Sequence, residues 1–203
     1  MIPSIVRQIS AAILAGGRAS RFGGADKASL VVGGARIIER QLAALATVTD
    51  DVRIVSNDAA RYATLGVRVI PDRIADAGPL GGVHAALVDA AHHGVIVLAC
   101  DLPFVTPAVL QALASEFGTG DEIDAVVPRS SRGLEPLCAL YAARCAETIR
   151  RRIEAGNLEM RGLLTEVRFK ELRPEGVASF DDGSVFLNVN TPHDYERARA
   201  KLN

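Results

Sequence analysis

The residues with most chemical potential lie together early in the chain, in Leu14-Ala15-Gly16-Gly17-Arg18-Ala19-Ser20-Arg21-Phe22-Gly23-Gly24-Ala25-Asp26-Lys27. A short apolar run, Ala11-Ala12-Ile13-Leu14, breaks into one glycine pair, and a second pair follows before Asp26-Lys27. Glycine permits positive φ and lets another group approach the main-chain N–H groups closely. Successive N–H groups in such a turn make a concavity for anions. Arg18, Arg21 and Lys27 add three fixed positive charges within ten residues, enough to hold a polyphosphate. The loop therefore reads as a nucleoside triphosphate site; the competing reading is a glycine-rich surface turn with solvated arginines. It is neither a P-loop, since Lys27 follows Asp26 and precedes Ala28, nor a dinucleotide fingerprint, since Arg18 follows Gly16-Gly17.

A second chemical position is Asp101, in Val95-Ile96-Val97-Leu98-Ala99-Cys100-Asp101-Leu102-Pro103. Six apolar or small residues read as a buried strand, and Pro103 keeps it from continuing. A lone carboxylate at that tip can hold Mg²⁺, which takes one or two carboxylates together with phosphate oxygens and water. Asp101 can equally cap a helix expected over 106–117. The cation that a triphosphate needs favours the metal. Near the other terminus, Asn188 and Asn190 share one face of a strand expected over 185–190, placed to bind a polar ligand or anchor a loop. Gly78-Pro79-Leu80-Gly81-Gly82 precedes an alanine-rich helix expected over 83–92. Its small residues either let a ligand or strand lie against backbone or mark a plain loop-to-helix junction.

The elements that position these residues alternate in type. Helical spacing of Ile37, Ile38, Leu42, Leu45 and Val48 predicts an amphipathic helix. A strand is expected at 52–55, a helix at 59–65 after the polar Ser56-Asn57-Asp58, and a strand at 67–70 ending in Pro71-Asp72. That β-α-β-α-β order argues for an α/β fold, an open and mostly parallel sheet with helices on both faces. In such sheets ligands bind beyond the carboxyl ends of the strands, where the first loop, Asn57, Asp72 and Asp101 all fall. Further strands are expected at 123–127, 137–141 and 169–172, with a charged loop over 129–135. Helices are expected at 144–155 and 158–167, and a last one begins at the cap Thr191 with Pro192 behind it.

With 203 residues and neither repeats nor linkers, the chain suits one domain. A net charge of −1 excludes a basic nucleic-acid binder and makes any anion site local. No apolar run approaches the ~20 residues that span a bilayer. The start lacks the pattern of a secretory signal. Cys100, Cys138 and Cys145 are odd in number and show no C-x-x-C spacing, as in reduced core residues of a cytoplasmic protein. The four histidines, His84, His92, His93 and His193, have no zinc-like partners.

The run Leu14-Ala15-Gly16-Gly17-x-x-x-Arg21-Phe22-Gly23-Gly24-x-Asp26-Lys27 resembles the signature loop of the molybdenum cofactor nucleotidyltransferases, in particular the guanylyltransferase branch. Asn57, Ile70-Pro71-Asp72, Gly78-Pro79-Leu80-Gly81-Gly82, Cys100-Asp101-Leu102-Pro103 and Asn188-Val189-Asn190-Thr191 follow in that family's order, so the similarity spans nearly the whole chain. The resemblance implies a Rossmann-like fold of the nucleotide-diphospho-sugar-transferase type. It implies transfer of GMP from GTP to molybdopterin, forming the guanine dinucleotide with release of pyrophosphate and dependence on Mg²⁺. Leu14, Ala15, Gly16 and Gly17 would meet GTP through backbone, and Lys27 would hold phosphate. Asn57, Asp72, Gly78 and Gly82 would belong to the nucleotide site. Asp101 would bind Mg²⁺ and touch GTP, and Asn188 and Asn190 would lie toward the pterin.

Arg21, Lys27 and Asp101 are then the catalytic set. The acceptor phosphate attacks the α-phosphorus in line, and the two cations stabilise charge on the leaving pyrophosphate. No base is needed, because a phosphate monoester is already ionised near neutral pH. Implied partners are GTP, molybdopterin and the molybdoenzymes or chaperones that receive the cofactor. The alternatives are a CTP-using or sugar-phosphate nucleotidyltransferase and, in another class, a non-catalytic nucleotide or cofactor carrier. Leu14-Ala15-Gly16 and Gly78-Pro79-Leu80 resemble the guanine version.

Overall fold

The computed structural model describes residues 9–16, 26–118, 122–173 and 184–201. Its centre is β1 (Ile9–Leu14), a six-residue strand of small and apolar side chains, every one buried. Only a strand flanked on both edges and covered on both faces reads this way. β1 pairs in parallel with β4 (Val52–Val55) on one side and β6 (Gly94–Ala99) on the other, and β5 (Arg68–Ile70) extends the sheet beyond β4. Past β6 come β9 (Cys138–Ala142), β7 (Ala125–Ser130) and β10 (Phe169–Leu172), giving the order β10-β7-β9-β6-β1-β4-β5. β9 runs antiparallel to both its neighbours, so the sheet is mixed but mostly parallel, as expected.

The chain steps outward from β1 to β4 and β5, then returns across β1 to β6. Right-handed crossovers in opposite directions put their helices on opposite faces. α1 (Ile37–Leu45) and α3 (Gly78–Asp89) belong to such opposed crossovers; α1 packs with α4 (Pro107–Phe117), and α3 packs with α5 (Cys145–Glu154). The reversal falls between β1 and β6, where the carboxyl ends of two adjacent strands splay into a crevice. None of the described helices is long and apolar enough to cross a membrane.

Four expectations differ. The segment over 185–190 is irregular and joins no sheet; Val185, Phe186 and Val189 are buried all the same. Their apolar spacing reflects burial of a loop. Val189 sits with Val32, Ile37 and Ala198 in a small core of its own, which ties the segment to α7 (Pro192–Ala200) and to the hairpin of β2 (Val31–Val32) and β3 (Ala35–Arg36). Next, α3 begins at Gly78 and ends at Asp89, so Gly81 and Gly82 are helical. Pro79 lies in its first turn, where a missing N–H costs nothing. Lastly, the helix expected over 158–167 shrinks to α6 (Met160–Leu163). The charged stretch 129–135 folds instead into a hairpin of β7 with β8 (Gly133–Leu134).

Gly94 opens β6 where space runs out. A Cβ there would lie 2.7 Å from Phe117 Cε1 and 3.3 Å from Ile9 Cγ2. Phe117 is buried and stacks on His93, so it has little room to yield. Gly94→Ala is expected to destabilise the fold by about 1–3 kcal/mol, read as a lower urea midpoint at unchanged slope.

Asp124 ties the start of β7 to the start of α5 and to β10. Its carboxylate accepts from Arg144 Nε at 2.8 Å and from the backbone and Nε of Arg168 at 2.8 and 3.1 Å. These bonds, those from the Arg168 side chain foremost, hold it down to about 2, against an ordinary 3.8. The stabilisation is complete above the unfolded value and is lost as pH falls through the folded one. Asp124→Asn is expected to cost about 1–3 kcal/mol near neutral pH. In urea titrations that gap from wild type narrows between about pH 4 and about pH 3.

Candidate functional site

At the tip of β1 the chain passes through Leu14, Ala15 and Gly16, held between the neighbouring strands. Ala15 N–H donates to Val55 O at 2.9 Å, and Cys100 N–H donates to Leu14 O at 3.2 Å. The chain re-enters at Asp26, which opens a single 3₁₀ turn, Lys27–Ser29. Asp26 accepts from Ala28 N–H at 3.1 Å, from Ser29 Oγ at 2.9 Å and from the Tyr62 hydroxyl at 2.9 Å. Burial, helped by the Asp26 charge, pushes the Tyr62 phenol well above its ordinary value, which keeps it a donor. Asp26 thus builds the turn that presents Lys27. Lys27 Nζ reaches across to Asn190 Oδ1 at 2.6 Å.

Asn190 is fixed in turn by the cap of α7. The Asp194 carboxylate accepts from the backbone N–H groups of Asn190 and Thr191, and Thr191 Oγ1 accepts from Asp194 N–H. Two residues earlier, Asn188 Oδ1 accepts from Arg132 Nη2 at 2.6 Å. The two amides thus face two cations, although no strand carries them.

The turn after β6 that carries Asp101 is clamped from α1. Gln41 Nε2 donates to Ala99 O at 2.8 Å and Leu102 O at 3.1 Å, and Arg40 Nε donates to Pro103 O at 3.1 Å. Asp101 O accepts from Val189 N–H at 2.9 Å, joining this turn to the asparagine segment. The helix-cap reading of Asp101 is set aside, because Thr106 Oγ1 takes the N-cap bond of α4 from Val109 N–H at 3.5 Å. Burial raises the Asp101 carboxyl above the ordinary range, opposed chiefly by the Lys27 charge and an Asn188 hydrogen bond, and less by Arg132. Its Oδ1 is buried without a hydrogen-bond partner among the described residues. Burial, with the Asp101 charge next, pushes the adjacent Cys100 thiol up to about 12, so it stays neutral filler beside the carboxylate.

Across the crevice, Asn57 and Asp72 hold each other. Asn57 Nδ2 donates to Asp72 Oδ2 at 3.0 Å, and Asp72 N–H donates to Asn57 Oδ1 at 3.0 Å. The chain then enters α3 through Asp76, a non-glycine residue at φ 55°, and Gly78 at φ 57°. Such a backbone costs about 1–3 kcal/mol at Asp76 and tends to occur where a ligand site dictates it. The glycine pair divides its work. A Cβ on Gly81 would lie 2.9 Å from Ala77 Cβ, so Gly81 serves packing within the helix start. A Cβ on Gly82 would lie 3.3 Å from Leu14 Cδ2, so Gly82 lets α3 close onto the tip of β1 at the wall of the crevice.

The crevice measures about 610 Å³, within the range of small-molecule sites. Leu14, Ala15, Gly16, Lys27, Asn57, Asp72, Gly78, Gly82 and Asp101, all singled out in the sequence, line it together. Asn188 and Asn190 stand beside it through their bonds to Arg132 and Lys27. Gly17 and Arg21 lie outside the described residues. Sequence reasoning missed Asp26 and Tyr62 as the support of Lys27, Gln41 as the clamp on the Asp101 turn, and Arg132. Among the described residues no group of three or more His, Cys, Asp or Glu side chains converges as a metal cage. A cation held here would take one or two carboxylates together with oxygens of the bound ligand.

A family profile described as MobA-like NTP transferase domain matches residues 11–171. Among similar sequences, one named molybdenum cofactor guanylyltransferase from Desulfosudis oleivorans is 34% identical, over 96% of each chain. A probable molybdenum cofactor guanylyltransferase from Pelotomaculum thermopropionicum is 37% identical, over 95% of this chain and 92% of that one. The crystal structure of molybdopterin-guanine dinucleotide biosynthesis protein A from Archaeoglobus fulgidus superposes with a TM-score of 0.77 at 29% identity. It covers 95% of this chain and 97% of its own.

Proposed function

Since the chain belongs to the MobA-like NTP transferase family, a family of nucleotidyltransferases, we propose that it moves GMP from GTP onto the phosphate of molybdopterin and releases pyrophosphate, with Mg²⁺ as its cation. The observation that carries this reading is the meeting of Asp101, whose buried Oδ1 has no donor among the described residues, with Lys27 in one crevice at the sheet's switch point.

In this reading the base and ribose lie toward Asn57, Asp72 and the start of α3, and the phosphates lie toward Lys27 and Asp101. Leu14 to Gly16 present backbone, with no side chain on Gly16 to hold the ligand off. A Cβ at Gly16 would point toward Asp72 Oδ2, 3.8 Å away. Lys27 exchanges a neutral amide oxygen for phosphate oxygens, a gain in charge complementarity at little cost. An oxygen of the acceptor phosphate attacks the α-phosphorus. A new P–O bond forms, the α–β bridging bond breaks, and its electron pair leaves on pyrophosphate. Asp101 is the residue that would hold Mg²⁺, whose charge neutralises the phosphate oxygens around the reacting phosphorus. Lys27, together with Arg21 by resemblance, stabilises the leaving group. The remaining work is orientation, and the clamped Asp101 turn and the Asp26-built Lys27 turn supply it.

The test mixes the protein with Mg²⁺, molybdopterin and each nucleoside triphosphate, and follows pyrophosphate. Release with GTP and not CTP is expected. Release with CTP alone would reassign the base, and tight GTP binding without release would favour a carrier.

A further inference from the structure

Arg132 is absent from the reading above and has the chemistry of a ligand contact. It sits at the turn of the β7–β8 hairpin, which the Ser130 hydroxyl stiffens by donating to Glu135 Oε1 at 2.6 Å and accepting from Arg132 N–H at 3.0 Å. Among the described residues its polar side-chain contacts run through one nitrogen. Nη2 donates to Phe186 O and to Asn188 Oδ1, and lies 3.6 Å from Glu135 Oε1. Its Nε and Nη1 have no hydrogen bond among the described residues, and the side chain is 56% exposed. A guanidinium oriented by one edge and open along the other is a fork set for a phosphate or carboxylate.

Its placement says which anion. Arg132 and Lys27 are held by two asparagines two residues apart, and both cations act on Asp101. An in-line displacement puts entering and leaving oxygens on opposite sides of phosphorus. It therefore needs two separate anion positions around one cation-binding carboxylate. Lys27 meets the nucleotide's phosphates, which leaves the Arg132 position for the second anion. We propose that Arg132 binds the phosphate monoester of the acceptor and aims its oxygen at the α-phosphorus. This inference rests on the guanylyl-transfer reading. The transferred bond is the one already written, and Arg132 neither gains nor loses a proton.

The test is equilibrium binding, which requires no turnover. Wild type and Arg132→Ala are loaded with a non-hydrolysable GTP analogue and Mg²⁺, then titrated with molybdopterin and with its dephosphorylated form. Arg132→Ala is expected to weaken binding of the phosphorylated pterin at least tenfold. The dephosphorylated pterin and the GTP analogue should change less than twofold. Equal losses for both pterins, no loss for either, or wild type binding the two pterins equally would overturn the proposal. Loss of GTP-analogue affinity to the same extent assigns Arg132 to the scaffold and also overturns it. If wild type binds the phosphorylated pterin selectively but releases no pyrophosphate from GTP, the transfer reading fails while the phosphate contact stands.

Discussion

Asp101→Asn is expected to lower guanylyl transfer by about 10³-fold or more while leaving the melting temperature nearly unchanged. The two expectations share one cause. The carboxylate is buried at a strand tip at a desolvation cost. Among the described residues its Oδ1 takes no hydrogen bond, and an asparagine side chain keeps an oxygen for Asn188, so the fold loses little when the charge goes. The backbone bonds that hold the turn, from Gln41 and Val189, do not involve the carboxylate and persist. What disappears is the carboxylate that, in the proposed reading, grips a cation beside the phosphates. The variant should bind GTP in Mg²⁺-free buffer as wild type does and show no gain on adding Mg²⁺. A variant keeping more than about a tenth of wild-type turnover would remove Asp101 from the chemistry. A melting temperature lower by more than about 10 °C, several kcal/mol for a domain of this size, would make its role structural.

The second large effect is at Lys27. Lys27→Ala is expected to cost about 10²–10³ in turnover at limiting GTP, the scale of one lost charge contact in a transition state. Because Lys27 rests on the neutral Oδ1 of Asn190, a sharper variant is Asn190→Asp. It leaves the cation in place but gives it an anionic partner that competes with phosphate. That variant should raise the KM for GTP, with the penalty shrinking as added salt screens the new pair. If Asn190→Asp leaves GTP affinity unchanged, Lys27 is not the phosphate contact.

How much of this was legible in the sequence depended on whether the signal was local. An apolar run cut off by glycines, or by Asp followed by Pro, announces a buried strand and its exit. The tips at Leu14–Gly16 and at Asp101 were therefore readable, and the α/β order followed from alternation. Asn188 and Asn190 were identified through an incorrect element. The alternation around them came from a loop sinking Phe186 into the main core and Val189 into a smaller one, and among the described residues it pairs with no strand. Gly81 and Gly82 were read as loop because glycine disfavours helix. Pro79 at the first turn and tight packing outweigh that preference. Arg132 was hidden inside a charged stretch that reads as solvent-facing. Only the hairpin, closed by a Ser130–Glu135 bond that no local pattern announces, turns it toward the site. Tyr62 was invisible for the same reason, since its partner Asp26 lies 36 residues away in sequence.

The bond from Lys27 to Asn190 spans 163 positions. During synthesis the glycine-rich tip and the acidic turn emerge from the ribosome long before the amides that steady their cations. A nascent chain paused short of α7 can carry a formed sheet and still be an idle one. Catalytic competence thus comes last, and a truncated translation product should be inert.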